Sequence, residues 1–323
     1  MTVSSEQIPT LKQMESTRGA TGEPIAAMWE HATTDSVISK DGAIIGYRQL
    51  GHGPGIVLVQ GTMGTAQNFM QLAEALADTF TVSAPDRRGR GLSGPGSDEY
   101  NIQKEVEDLD ALLTHTGAHS VFGLSSGAII ALQAALTLPA IHKLALFEPP
   151  FFLNGSLPTA LVARYEREMA DGKTAAALIT GMKAGQMGPP VMNAIPRWLL
   201  ERLTNMMMKS EEKKGSDGYV PMRLLASTLH NDFQLVTEMS DTLESFGAIG
   251  IEVLLLGGSK SPAYLKRAVE ALSQVLPHAT RIELSGLGHG AAWNSDRGGK
   301  PEQVAQELHR FFAESGQVKP GPA

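Results

Sequence analysis

The chain contains no cysteine, which excludes disulfides, thiolate metal sites and a cysteine nucleophile together. It has no run of Lys or Arg, and its formal net charge is −7. A polyphosphate partner therefore has no electrostatic footprint, and nucleic acid is set aside. No apolar stretch approaches the roughly 20 residues that a membrane span requires, so no membrane partner is expected. Residues 1–34 lack the basic start and apolar core of a secretory signal. They read as a polar N-terminal arm on a protein expected in the cytoplasm.

What is present is apolar content and glycine. With 323 residues, 42% of them hydrophobic, the chain can build a large core, most simply as one domain with an insertion or as two. Short β-like runs at 36–39 and 43–50 flank Asp41-Gly42, a hairpin signal. From the strand-like run 56–60 onward, helical and β-like patterns alternate. Helices are expected at 67–80, 101–117 and 126–139, and strands at 81–86, 120–124 and 143–148. Strict alternation of this kind implies right-handed crossovers and a mostly parallel central sheet with helices on both faces, an α/β fold.

The alternation stops at about Pro150 and resumes with the apolar strand 251–257. Residues 150–247 therefore read as a helical cap inserted into a core formed by 35–149 and 248–316. Nine of the 14 methionines lie in that insertion. They fit ordinary helix packing by an adaptable side chain, or a flexible apolar lid over a pocket. One more helix (261–277), a strand (280–285), a glycine-rich loop (286–294) and a closing helix (301–315) follow, and the tail 317–323 reads as unstructured.

Gly123-Leu124-Ser125-Ser126-Gly127 fits G-x-S-x-G. The pattern is common by chance, but here a strand ends beside it and a helix begins, as a nucleophile elbow requires. Ser126 is the rival for the role, and its place at the helix start suits a cap better. A serine hydroxyl needs a base to take its proton, and histidine has a suitable pKa. Among nine histidines, His289 stands out because it follows the last strand in a glycine-rich loop. Such loops lie at the carboxyl edge of parallel strands, where Ser125 would also emerge.

This combination resembles the α/β-hydrolase fold family. It comprises the elbow at Ser125, the late His289, the strand and turn VLVQGTMGT and the segment Asp86-Arg87-Arg88-Gly89-Arg90-Gly91-Leu92-Ser93. The resemblance spans roughly residues 36–315 and is specific for the fold, much less for the substrate. It implies an oxyanion hole built from the backbone N–H of Ser126 and of Thr62, with Met63 as neighbour. Many relatives carry His-Gly where this chain has Gln60-Gly61, so hydrogen bonding in that loop is expected to differ. In most relatives an aspartate follows the strand corresponding to 251–257. This chain continues Gly257-Gly258-Ser259-Lys260-Ser261-Pro262-Ala263 with no carboxylate. Glu148, at the end of the strand after the elbow helix, occupies the alternative position used by some members of the fold. Its other reading is a cap or ion pair near the start of the insertion. Asp86 and Arg87 are given structural roles, and Trp293 lines the pocket or belongs to the core.

The expectation is a serine hydrolase acting on a carboxylic ester or lactone through Ser125, His289 and Glu148, with no metal or organic cofactor. Its partner would be a small, apolar ester or lactone substrate, and a homodimer is left open. Cleavage of a carbon–carbon bond beside a ketone, perhydrolysis, or a binding protein that has lost turnover are the alternatives.

Overall fold

The computed structural model describes residues 31–95, 99–188, 194–214 and 219–313. Most of the N-terminal arm and the whole of the tail 317–323 lie outside them. Eight strands form one sheet: β1 (Thr33–Ile38), β2 (Ile44–Gly51), β3 (Gly55–Val59), β4 (Thr81–Pro85), β5 (Ser120–Leu124), β6 (Lys143–Phe147), β7 (Glu252–Gly258) and β8 (Ala279–Leu284). Their order is β1-β2-β4-β3-β5-β6-β7-β8. β1 pairs antiparallel with β2 and β2 with β4, while every later pairing is parallel. The Asp41-Gly42 hairpin closes with Ser39 N–H donating to Ala43 O at 2.8 Å. β1 already begins at Thr33, inside the stretch read from sequence as arm.

The central strands are apolar on both faces, as a sheet covered on both sides demands. Val57, Val59, Val121, Leu144, Leu146, Val253 and Leu255 pack into one layer with α2 (Ile102–Thr116), α3 (Ser126–Thr137) and α8 (Ala263–Val275). Their alternate neighbours Ile56, Leu58, Phe122, Leu124, Phe147, Leu254 and Leu256 face the other layer, with α1 (Met70–Leu76) and α9 (Pro301–Ala313). Each fully buried side chain of this size stabilises the fold by about 1.5–3 kcal/mol.

Between β6 and β7 the described residues form four α-helices: α4 (Thr159–Ala170), α5 (Thr174–Ala184), α6 (Arg197–Lys214) and α7 (Met222–Glu238). Met208 of α6 is fully buried, in a small cluster with Ala175, Leu178 and Ala226, whereas Met206 and Met207 are about 60% exposed. Of that methionine run, only Met208 packs in the interior. No helix among the described residues is long and apolar enough to cross a membrane.

Gly127, one residue into α3, shows why the elbow excludes side chains. A Cβ there would lie 2.3 Å from Val59 O and 2.6 Å from Gln60 O, both backbone atoms. Gly127→Ala is expected to force α3 away from the end of β3. It should destabilise the protein by about 1–3 kcal/mol, as overpacking does, measurable by urea denaturation.

Candidate active site

The sheet register brings the candidate residues to one edge. Leu124 is paired with Phe147, and Phe147 with Leu256, so the chain leaves β5, β6 and β7 at the same level. Ser125 N–H then donates to Phe147 O at 2.9 Å, and Glu148 N–H to Leu256 O at 3.1 Å. Both residues turn sharply there, Ser125 with φ 56° and Glu148 with φ 48°. A left-handed backbone costs a residue with a side chain on the order of 1 kcal/mol or more and persists only where its surroundings over-determine it. Met63, in the loop after β3, is a third such residue, with φ 54°.

Ser125 stands at the head of α3 but makes no capping hydrogen bond with its side chain, so its hydroxyl is not committed to the helix. The Ser125 side chain lies directly against Gly61, where a Cβ would come within 2.8 Å of the serine Cβ. Ser126 does not cap the helix either. Its side chain is fully buried, donates to Asp232 Oδ1 at 2.8 Å and lies 3.5 Å from Thr62 Oγ1. The loop after β3 and the first residue of α3 therefore meet beside Ser125. The first N–H groups of a helix have no intrahelical partner, and they carry the positive end of its dipole.

Glu148 and His289 are joined: His289 Nδ1 lies 2.7 Å from Glu148 Oε2. The carboxylate is completely buried and the imidazole nearly so, with 15% of its side chain exposed. The other carboxylate oxygen accepts Gly258 N–H at 2.7 Å. Gly257 and Gly258 explain how an acid from β6 reaches across the end of β7. A Cβ on Gly257 would approach Glu148 Oε1 to 3.1 Å, and one on Gly258 would strike Leu287 O at 2.4 Å. In the carboxylate-free stretch after β7, the Ser261 hydroxyl is buried without a partner. With Nδ1 engaged by Glu148, Nε2 is the ring nitrogen left to act as a base. No hydrogen bond joins Ser125 Oγ to His289 among the described residues; such contacts are often long without substrate and tighten when it binds.

Trp293 packs against the apolar layer of α1 and α9, and its indole N–H is buried without a partner. Asp86 has the structural place expected for it. Its Oδ1 accepts Ala66 N–H at 2.6 Å and its Oδ2 accepts Leu92 N–H at 2.8 Å, tying two loops together. Arg87 is more deeply engaged than the sequence indicated. Its guanidinium donates to Glu105 Oε1 at 2.7 Å, Asp232 Oδ1 at 2.8 Å and Ser126 Oγ at 3.2 Å. Arg90 Nη2 donates to the second Asp232 oxygen at 2.7 Å. Asp232 and Glu105 were not singled out from the sequence. Each looks there like one more acid on a helical face, and nothing local marks it as buried.

Burial works against charge at both of these carboxyls. At Glu105 the guanidinium of Arg87 overcomes it, and at Asp232 those of Arg90 and Arg87 do, so both groups lie below the usual carboxylate range. A folded value below the unfolded one adds stability that is present above the unfolded pKa, about 4, and is lost as pH falls through the folded value. Glu105→Gln is expected to lower stability at pH 7 by about 3–5 kcal/mol, as loss of one partner of a buried pair does. It should also flatten the loss of melting temperature below pH 4 relative to the wild type, a difference that thermal scans across pH 3–7 will measure.

A family model described as alpha/beta hydrolase family matches residues 56–307. The chain is 26% identical over 268 residues to a pimeloyl-[acyl-carrier protein] methyl ester esterase of Xanthomonas campestris pv. campestris, covering 82% of this chain and 97% of that one. Among solved structures, an alpha/beta hydrolase from Sphaerobacter thermophilus is 31% identical with a TM-score of 0.69, covering 86% of this chain and 100% of the other. A thermophilic esterase from Thermogutta terrifontis is 17% identical with a TM-score of 0.64, covering 87% and 98%, and shares the fold.

Proposed function

The chain belongs to the alpha/beta hydrolase family, and on that footing we propose that it is a serine hydrolase cleaving a carboxylic ester or lactone through Ser125, His289 and Glu148. The observation that carries this reading is the 2.7 Å contact between the buried Glu148 carboxylate and His289 Nδ1, at the same sheet edge as the strained Ser125. A carboxylate on Nδ1 fixes the tautomer with Nε2 free and stabilises the imidazolium that forms during reaction. Relatives that act on esters add support, among them the Xanthomonas methyl ester esterase.

Ser125 Oγ attacks the substrate carbonyl while His289 Nε2 takes the hydroxyl proton. The carbonyl π electrons move to oxygen, and the N–H groups of Thr62 and Ser126 hold the resulting oxyanion. Collapse expels the alcohol, which receives the proton from His289, and leaves an acyl ester on Ser125. Water, deprotonated by the same imidazole, then attacks the acyl group and releases the acid with Ser125 restored. The donors act on charge as it develops, so they lower the barrier rather than merely tighten binding. The substrate is taken to be apolar on this reading, since Met63, the neighbour of the proposed donor Thr62, belongs to an apolar contact with Ala175, Leu178, Met208 and Ala226 of the insertion.

Treating the wild-type protein with a fluorophosphonate probe should place a single adduct on Ser125, located by peptide mass spectrometry. The absence of an adduct, together with no turnover of short-chain aryl esters, would favour a silent binding scaffold. Glu148→Ala should reduce kcat/KM by about 10²–10⁴-fold. A loss below about tenfold would remove Glu148 from the triad.

A further inference from the structure

We propose that Asp232, on α7 of the helical insertion, is a positioning residue for the oxyanion hole. The inference rests on the serine-hydrolase reading above and extends it to a residue outside the triad. It starts from the geometry of one peptide unit. Gly61 C=O and Thr62 N–H belong to the same planar trans peptide, in which the two bonds point in opposite directions. Whatever pins the Gly61 oxygen therefore aims the Thr62 N–H. Arg90 Nη1 donates to Gly61 O at 2.9 Å and to Gly64 O at 3.1 Å, bracing the turn in which Gly64 N–H also donates to Gly61 O at 3.1 Å. Arg87 Nη1 reaches the preceding carbonyl, Gln60 O, at 3.5 Å. Two guanidinium groups thus grip the loop that carries one proposed donor.

Asp232 holds both guanidiniums. Its Oδ1 accepts from Arg87 and its Oδ2 from Arg90, at 2.8 and 2.7 Å, and the Ser126 hydroxyl donates to Oδ1 at 2.8 Å. One carboxylate therefore touches the residue that bears the second proposed donor and both side chains that orient the first. The arrangement is fully buried, and its four charges, Arg87, Arg90, Glu105 and Asp232, sum to zero. Burial disfavours the charge on Arg90, Asp232 opposes that effect, and Arg87 adds repulsion. Without Asp232, two neighbouring cations would share a single acid, Glu105, and Arg90 would be pushed from the carbonyls it holds. Arg90 Nε is already buried without a partner, so this guanidinium keeps its place despite an unmade hydrogen bond. The Met63 side chain, packed into the cluster of α5, α6 and α7, anchors the same loop to the insertion at a second point.

The test measures kcat and KM on p-nitrophenyl butyrate, and inhibition by an alkyl trifluoromethyl ketone. Addition of Ser125 to that ketone creates a stable oxyanion. Two variants are compared with wild type. Asp232→Asn keeps the shape and removes the charge; Ser126→Ala keeps the backbone N–H and removes the hydroxyl, with its links to Asp232 and Arg87 and its approach to Thr62 Oγ1. Both are expected to lower kcat by about tenfold or more, less than the 10²–10³ of deleting a donor outright. The ketone should weaken by a similar factor, with KM within about twofold, the signature of lost transition-state contacts. Should Asp232→Asn not fold by circular dichroism, Ser126→Ala decides the question. Folded variants with unchanged kcat and ketone affinity, or with only a raised KM, would overturn the inference while wild-type turnover keeps the hydrolase reading. A wild type that neither labels at Ser125 nor turns over esters would overturn that reading and this inference with it.

Discussion

The register of three parallel strands is the constraint on which the site depends. Leu124, Phe147 and Leu256 stand level across β5, β6 and β7, so the residues that follow are released at one edge. The backbone hydrogen bonds from Ser125 N–H to Phe147 O and from Glu148 N–H to Leu256 O extend this pairing one residue past the strands. Both residues then leave in left-handed conformations. A slip of one residue in any of these pairings would turn the side chains to the opposite face and separate the acid from the histidine. The site is in this sense a property of the sheet, tightened by apolar layers on both of its faces.

In the proposed triad the acid comes from the end of β6, and its reach to His289 has a steric basis. An acid reaching sideways across a neighbouring strand end needs room and a donor. Gly257 supplies the room and Gly258 N–H the donor. In the stretch after β7, which carries no carboxylate, the Ser261 hydroxyl is buried without a partner. The two glycines and Glu148 are one arrangement, and a side chain at Gly257 would crowd the carboxylate that β6 contributes.

Buried charge joins the helical insertion to the core. A buried ion pair adds little net stability over a well-packed apolar replacement, and removing one partner is costly. What the cluster around Asp232 adds is specification of geometry: its two oxygens each accept from a different guanidinium, Arg87 and Arg90, and charge-assisted hydrogen bonds of this kind fix directions as well as distances. Its location, behind the loop after β3 and the head of α3, puts that geometric control where the orientation of backbone N–H groups decides what the site can hold.

The sequence by itself determined the alternation of strands and helices, the long helical run between β6 and β7, the elbow around Ser125 and the glycine-rich loop of the late His289. Each of these is carried by local pattern: apolar periodicity, glycine spacing, or a motif set between a strand and a helix. Glu148 is reached only through the family resemblance, with a cap or ion pair as its other reading, and the 2.7 Å contact with His289 Nδ1 comes from the tertiary structure. Tertiary structure decided the rest. Trp293 packs against the core layer of α1 and α9, and Ser126 joins a buried ionic network in place of capping its helix. Asp232 lies 106 positions from Ser126 in the chain yet bonds to it. A carboxylate on a helix has the same local signature whether it faces water or two arginines, and only the packing of the insertion against the sheet distinguishes the two.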